Sequence, residues 1–122
     1  MLKTLMTVSG WIEIAFGISA LAVPLMVVEA VGGMGADLPT LALVRLAGAA
    51  TLALGVAALA ARDHLDVAGG LAAAYGLGLY NVVAAVTLLF AAVAAGGAGL
   101  WGGALLHSAI GALFAYALVA RR

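Results

Sequence analysis

Four residues able to move protons or hold a ligand stand inside long apolar runs: Glu13, Arg45, Asn81 and His107. They supply a carboxyl, a guanidinium, a carboxamide and an imidazole, one in each of four apolar stretches. Such a set can anchor an oxygen-rich head group and exchange hydrogen bonds with it. Glu13 and His107 are also the candidate pair for general acid–base chemistry. Tyr80 adds a phenol beside Asn81, and Thr51 and Ser108 add hydroxyls. The candidate ligand-binding set is therefore Glu13, Arg45, Asn81, His107 and Tyr80.

Other chemistries are excluded. The chain has no cysteine, which removes disulfides, thiolate catalysis, iron–sulfur clusters and cysteine-based zinc sites. Five basic residues balance five acidic ones, and no basic block exists to bind nucleic acid. No phosphate loop, serine triad or zinc motif is present. His64 lies beside Asp63 and Asp66, a grouping that reads as a capped, solvated turn rather than a metal site. A bis-histidine haem needs two histidines at matching depth, and only His107 lies within an apolar run. The sequence calls for no cofactor and no metal.

The elements that must position these groups follow from composition. Hydrophobic residues make up 67% of the 122 and charged ones 8%, with a mean hydropathy of +1.29. A water-facing domain is roughly half apolar and a quarter charged, so this chain must face lipid. Apolar stretches run over about 5–28, 38–61, 67–95 and 100–120, each long enough to span a bilayer as a helix. None alternates like a barrel strand. The expected fold is an all-α membrane protein, a single domain over 1–122 built as an antiparallel bundle of four transmembrane helices.

Punctuation marks the joints. Pro24 is expected to kink the first helix by freeing the carbonyl of Ala20. Asp37 before Leu38-Pro39 is a helix start with a capping carboxylate and a proline in the first turn. Asp63 or Asp66 can cap the third helix, which is long enough to tilt or overhang. Gly96-Gly97-Ala98-Gly99 forms the last turn. Lys3 and Ala20-Leu21-Ala22 resemble parts of a signal peptide, but Glu13 interrupts the apolar region, and the segment reads as a retained helix.

Lys3, Arg62, Arg121 and Arg122 fall at one face, against Glu29 and Asp37 at the other. The positive-inside rule then places both termini in the cytoplasm, in a multi-pass protein of the inner (plasma) membrane. Trp101 and Tyr116 lie near opposite ends of the last helix, where interfacial aromatics collect.

Helical rise sets the depth of the polar groups. Glu13 lies about 15 Å from the cytoplasmic face, and Arg45, Asn81 and His107 lie roughly 25, 22 and 21 Å from it. Each shares its stripe with small residues: Glu13 with Ser9, Gly10, Gly17 and Ala20; Arg45 with Gly48, Ala49 and Ala53. Asn81 lies with Ala74, Gly78 and Ala85, and His107 with Gly103, Gly111 and Ala115. Small residues mark the faces where membrane helices approach closely. The four groups are therefore expected to converge, with Glu13 and Arg45 as a buried pair. The same residues also serve as interhelical glue when they only fix packing.

Glu13 followed by Gly17, Pro24 near the end of helix one, Arg45-Leu46-Ala47-Gly48-Ala49 through Leu54-Gly55, Tyr80-Asn81 and Leu106-His107 give a layout that resembles the DoxX-like group of small bacterial four-helix membrane proteins. The resemblance spans the chain and rests on short motifs. It implies a quinone or redox association, without the cysteine pair that thiol redox work needs.

Three functions stay open. The buried site can bind a small amphipathic or hydrophobic molecule, quinone- or lipid-like, alone or within a larger membrane complex or homo-oligomer. It can be an enzyme performing isomerisation, cyclisation or epoxide opening on a hydrophobic substrate. It can relay protons or solutes in an oligomer. The first is favoured, because these groups lack a redox centre or a nucleophile.

Overall fold

The computed structural model describes residues 1–121, and every regular element in them is helical: α1 (Leu2–Ala22), α2 (Pro24–Ala30), α3 (Leu38–Ala61), α4 (Ala68–Ala95) and α5 (Ala98–Val119). Arg122, counted above among the basic residues of one face, lies outside the described residues. α1, α3, α4 and α5 are each long and apolar enough to cross a membrane. The chain is a multi-pass membrane protein folded as an antiparallel four-helix bundle. Its outer surface is apolar: Leu43, Leu46, Leu79, Phe90, Val93 and Leu105 are all exposed, as side chains facing lipid should be.

The first joint differs from the expected kink. α1 stops at Ala22, Val23 leaves helical geometry (φ −133°, ψ 56°), and α2 begins afresh with Pro24 in its first turn. Proline has no N–H to continue the ladder and its ring crowds the carbonyl four residues back. Here that ends the helix instead of bending it. The Val23 N–H still donates to Ser19 O at 2.8 Å.

The start of α3 matches its sequence. The Asp37 side chain accepts from the Thr40 N–H at 2.9 Å, satisfying one of the free N–H groups of the first turn. Those contacts with Thr40 hold the Asp37 carboxyl below its usual range. The start of α4 does not match. Its N-cap is Val67, with no side-chain cap, so neither Asp63 nor Asp66 caps it. Asp63 is drawn instead to Lys3 and Arg62, and the hydrogen bond from Lys3 lowers its carboxyl's pKa. Arg121 donates to Leu65 O at 2.7 Å, tying the end of α5 to the same turn.

The last turn places Gly96 and Gly97 at φ 73° and 97°, a region that side-chain-bearing residues rarely adopt. It lets α5 double back along α4 within two residues. The half of the bundle nearer Lys3 and Arg62 is filled by Leu2, Met6, Ala58, Leu77, Ile110 and Phe114.

Candidate functional site

The four spans associate as two close pairs, α1 with α3 and α4 with α5, with sparser contact between pairs. Glycine explains the first pair. A Cβ on Gly17 would lie 2.7 Å from Gly48 O, and one on Gly55 would lie 2.5 Å from Gly10 O. Gly10 opposes Gly55 and Gly17 opposes Gly48, so the antiparallel register repeats every two turns. In the second pair, Cβ atoms on Gly78 and Gly111 would press on Phe114 and Val82 at 3.2 and 3.1 Å. Backbone meets backbone between α1 and α3, glycine makes room for side chains between α4 and α5, and no such seam joins α3 to α4 among the described residues.

The gap between the pairs is a cavity of about 720 Å³. It lies in the half of the bundle away from the packed Leu2–Phe114 core, with Val27 and Val31 from the α2 region in its wall. α2 is held near the head of α5, since its Ala30 carbonyl sits against Gly99 where a Cβ would otherwise be. Ile12, Phe16, Val44, Val83, Leu88 and Leu106 make the surface mostly apolar. Phe16, Val83 and Leu106 line it and are exposed as well, and the cavity is only partly enclosed. Its polar groups are Glu13, Thr51, Tyr80, Thr87 and His107.

Glu13 is 1% exposed. It occupies the stripe between Gly10 and Gly17, and Thr51 occupies the matching place between Gly48 and Gly55 on α3. The Tyr80 hydroxyl approaches the Glu13 carboxyl from α4, yet Glu13 Oε1 has no hydrogen-bond partner among the described residues. Thr51 does not supply one, because its hydroxyl donates to Gly48 O at 3.1 Å in its own helix. The rings of Tyr80 and His107 meet edge to face, 5.6 Å apart and inclined by 85°.

Asn81 is fully buried behind this surface. Its Nδ2 donates to Leu77 O at 2.9 Å and to Ser9 Oγ at 3.5 Å. Its Oδ1 lies 2.8 Å from His107 Nδ1. With the amide nitrogen committed as donor, Oδ1 must accept, so His107 carries its proton on Nδ1 and keeps Nε2 as an acceptor. Asn81 thus orients the histidine from behind and does not line the cavity.

Of the five residues expected from sequence, the structure gathers Glu13, Tyr80, Asn81 and His107. Arg45 is a correction. Its residue is exposed, and no ion pair with Glu13 forms among the described residues. The buried face of α3 is Gly48, Thr51, Gly55 and Ala58, which extends back through Val44. Adjacent residues are about 100° apart around a helix, and that one-residue difference turns Arg45 outward with Ala49 and Ala53. Ser108 is likewise exposed. Thr87 and the α2 wall were not anticipated, and no motif marks them. Tyr80, one residue off the Asn81 direction, faces the cavity because α4 passes beside a gap and not only beside a helix.

No family model, no curated protein and no solved structure matches the chain.

Proposed function

We propose that this membrane protein binds a small amphipathic or hydrophobic molecule, quinone- or lipid-like, between its two helix pairs. The observation that carries the reading is the cavity of about 720 Å³, whose apolar walls end at Glu13, Tyr80 and His107. Its volume falls within the range of small-molecule sites, which are mostly apolar with a few placed polar groups. A head group would meet the carboxyl, phenol and imidazole, and a tail would lie along Val27, Val83 and Leu106. A cavity only partly enclosed by apolar helices suits a ligand that arrives from the bilayer. An accessory role in a membrane redox complex, as the DoxX-like resemblance implies, belongs to the same proposal. So does an inner-membrane location with cytoplasmic termini.

The test is native mass spectrometry of protein released from lipid nanodiscs, with organic extraction of whatever is retained. Wild type should carry a stoichiometric bound mass, and Ala84→Phe, which fills the cavity, should lose it while remaining helical. Equal complements on both proteins would remove the cavity from the account.

A second reading, acid–base catalysis on a hydrophobic substrate, is favoured by one observation. A carboxyl and an oriented imidazole line the same space. It requires Glu13→Gln to abolish turnover in a protein that still binds. Transport has less support, because the apolar core on the Lys3 side leaves the cavity one-sided.

A further inference from the structure

Resting on the binding reading above, we infer that the cavity selects a lipophilic cation, held at Glu13 in exchange for a proton. Glu13 is a buried carboxyl with no basic side chain paired to it among the described residues. Among the described residues Glu13 is the only acidic one lining the cavity, and one of its oxygens is buried without a partner. No lysine or arginine among the described residues compensates it, and His107 has its Nδ1 committed to Asn81 Oδ1. Arg45 is turned outward, Lys3 and Arg62 are engaged with Asp63, and Arg121 donates to Leu65 O.

The groups facing Glu13 from the other helices are Tyr80 on α4 and His107 on α5. α3 presents only Thr51, whose proton is committed to Gly48 O. From the α2 region come Val27 and Val31, and Glu29 is exposed outside. A bare carboxylate in such surroundings is costly. Two things relieve it, a proton or a cation, and they exclude one another. Binding is then written in balance: the Glu13 carboxylic acid releases its proton to solvent, and the resulting carboxylate pairs with the incoming cation.

Head groups of other charge fare worse. An anion would meet Glu13 with no guanidinium to receive it. A neutral head gains a hydrogen bond but no charge pairing. Aromatic walls add to the preference, since Tyr80 and Phe16 both line the cavity and ring faces attract weakly hydrated cations.

The test uses two ions of nearly equal shape and opposite charge, tetraphenylphosphonium and tetraphenylborate, with the protein in zwitterionic nanodiscs and empty nanodiscs as background. Tetraphenylphosphonium carries a permanent charge, so any pH dependence of its binding belongs to the protein. Saturable binding of the cation alone is expected, weakening about tenfold per pH unit on the acid side. Glu13→Gln should weaken it about 30-fold or more and abolish the pH dependence. Glu13→Asp, which keeps the charge, should retain a pH-dependent site. If Glu13→Gln does not fold, the pH dependence and ion pair in wild type decide the question alone. Equal binding of both ions, or cation binding independent of pH, would overturn the cation assignment. That result would leave the binding proposal standing if a neutral co-purified ligand is found. Absence of any bound molecule in either experiment would remove both.

Discussion

His107 Nδ1 and Asn81 Oδ1 lie 2.8 Å apart and join α5 to α4 at the middle of the bundle. This bond continues through Asn81 Nδ2 to Ser9 on α1, so one carboxamide links both helix pairs. It also fixes which imidazole nitrogen carries the proton, and thereby what the ring offers to the cavity.

Replacing the link tests that role. Asn81→Leu removes the bonds to His107, Ser9 and Leu77 while keeping similar bulk. Hydrogen bonds between membrane helices average ~0.6 kcal/mol each, and unpaired buried partners add to the loss. A destabilisation of about 1–2 kcal/mol is expected in reversible unfolding from mixed micelles. Imidazole nitrogen NMR should show the Nδ1–H tautomer give way to a mixture. A spectrum identical to wild type would mean that Asn81 does not set the tautomer.

The glycine seam makes a paired prediction. A Cβ on Gly17 meets backbone atoms, Gly48 O and Leu52 N, both at 2.7 Å, and backbone cannot rotate away. Gly17→Ala should therefore separate α1 from α3 and cost about 1–3 kcal/mol. Around Gly76 and Gly102 there is nothing within 4 Å. Alanine at either should be neutral, or stabilising by up to ~1 kcal/mol through helix propensity. Thermal melts in detergent compare the three; a Gly17→Ala protein as stable as Gly76→Ala would contradict the close approach.

Arg45 supplies a test of orientation. Because it faces outward and does not pair with Glu13, Arg45→Leu should leave cavity binding unchanged. It should also favour insertion, since an arginine within a span is disfavoured, by about 2.5–3.5 kcal/mol at the helix centre and less towards its ends, where Arg45 lies. Glycosylation-tag insertion assays and ligand retention read the two effects. Loss of the bound molecule in Arg45→Leu would restore Arg45 to the site.

Acid should weaken the ends of the bundle. Hydrogen bonding to Thr40 lowers the Asp37 pKa, and Lys3 lowers that of Asp63, both from 3.8. The unfolded chain therefore binds these protons first, so stability rises with pH through this window. The contribution is full above 3.8 and is lost as the pH falls through the lower folded values. Both groups are exposed and screened by salt, so the effect is small. Melting temperatures measured between about pH 5 and 2 should fall less steeply in an Asp37→Asn, Asp63→Asn double variant. An identical slope would show that neither carboxylate is held in the folded state.

Much of the site was legible in the chain. An intramembrane carboxyl, carboxamide and imidazole are conspicuous because lipid disfavours them, and their small-residue stripes pointed inward for Glu13 and Asn81. The stripe on α3 misled because Gly48 borders two faces. Taken with Ala49 and Ala53 it includes Arg45, whereas taken with Thr51 and Gly55 it includes Val44. Alanine is abundant enough here to support either phase. Only the opposing glycines of α1 choose between them, and those are a tertiary contact.

The sequence by itself determined the four spans, the all-helical class, the Asp37 cap and the glycine turn at Gly96-Gly97. Those depend on local hydropathy and backbone freedom, which each segment carries alone. Tertiary structure decided that Pro24 ends a helix, that Lys3 takes Asp63 away from capping, and that Thr51 takes the place expected for Arg45. It also decided that a cavity exists. Glycine brings α1 and α3 backbone to backbone and lets Ala30 reach the head of α5, but none closes α3 on α4 among the described residues, and the space left beside Glu13 is a property of how four helices pack, which no single segment encodes.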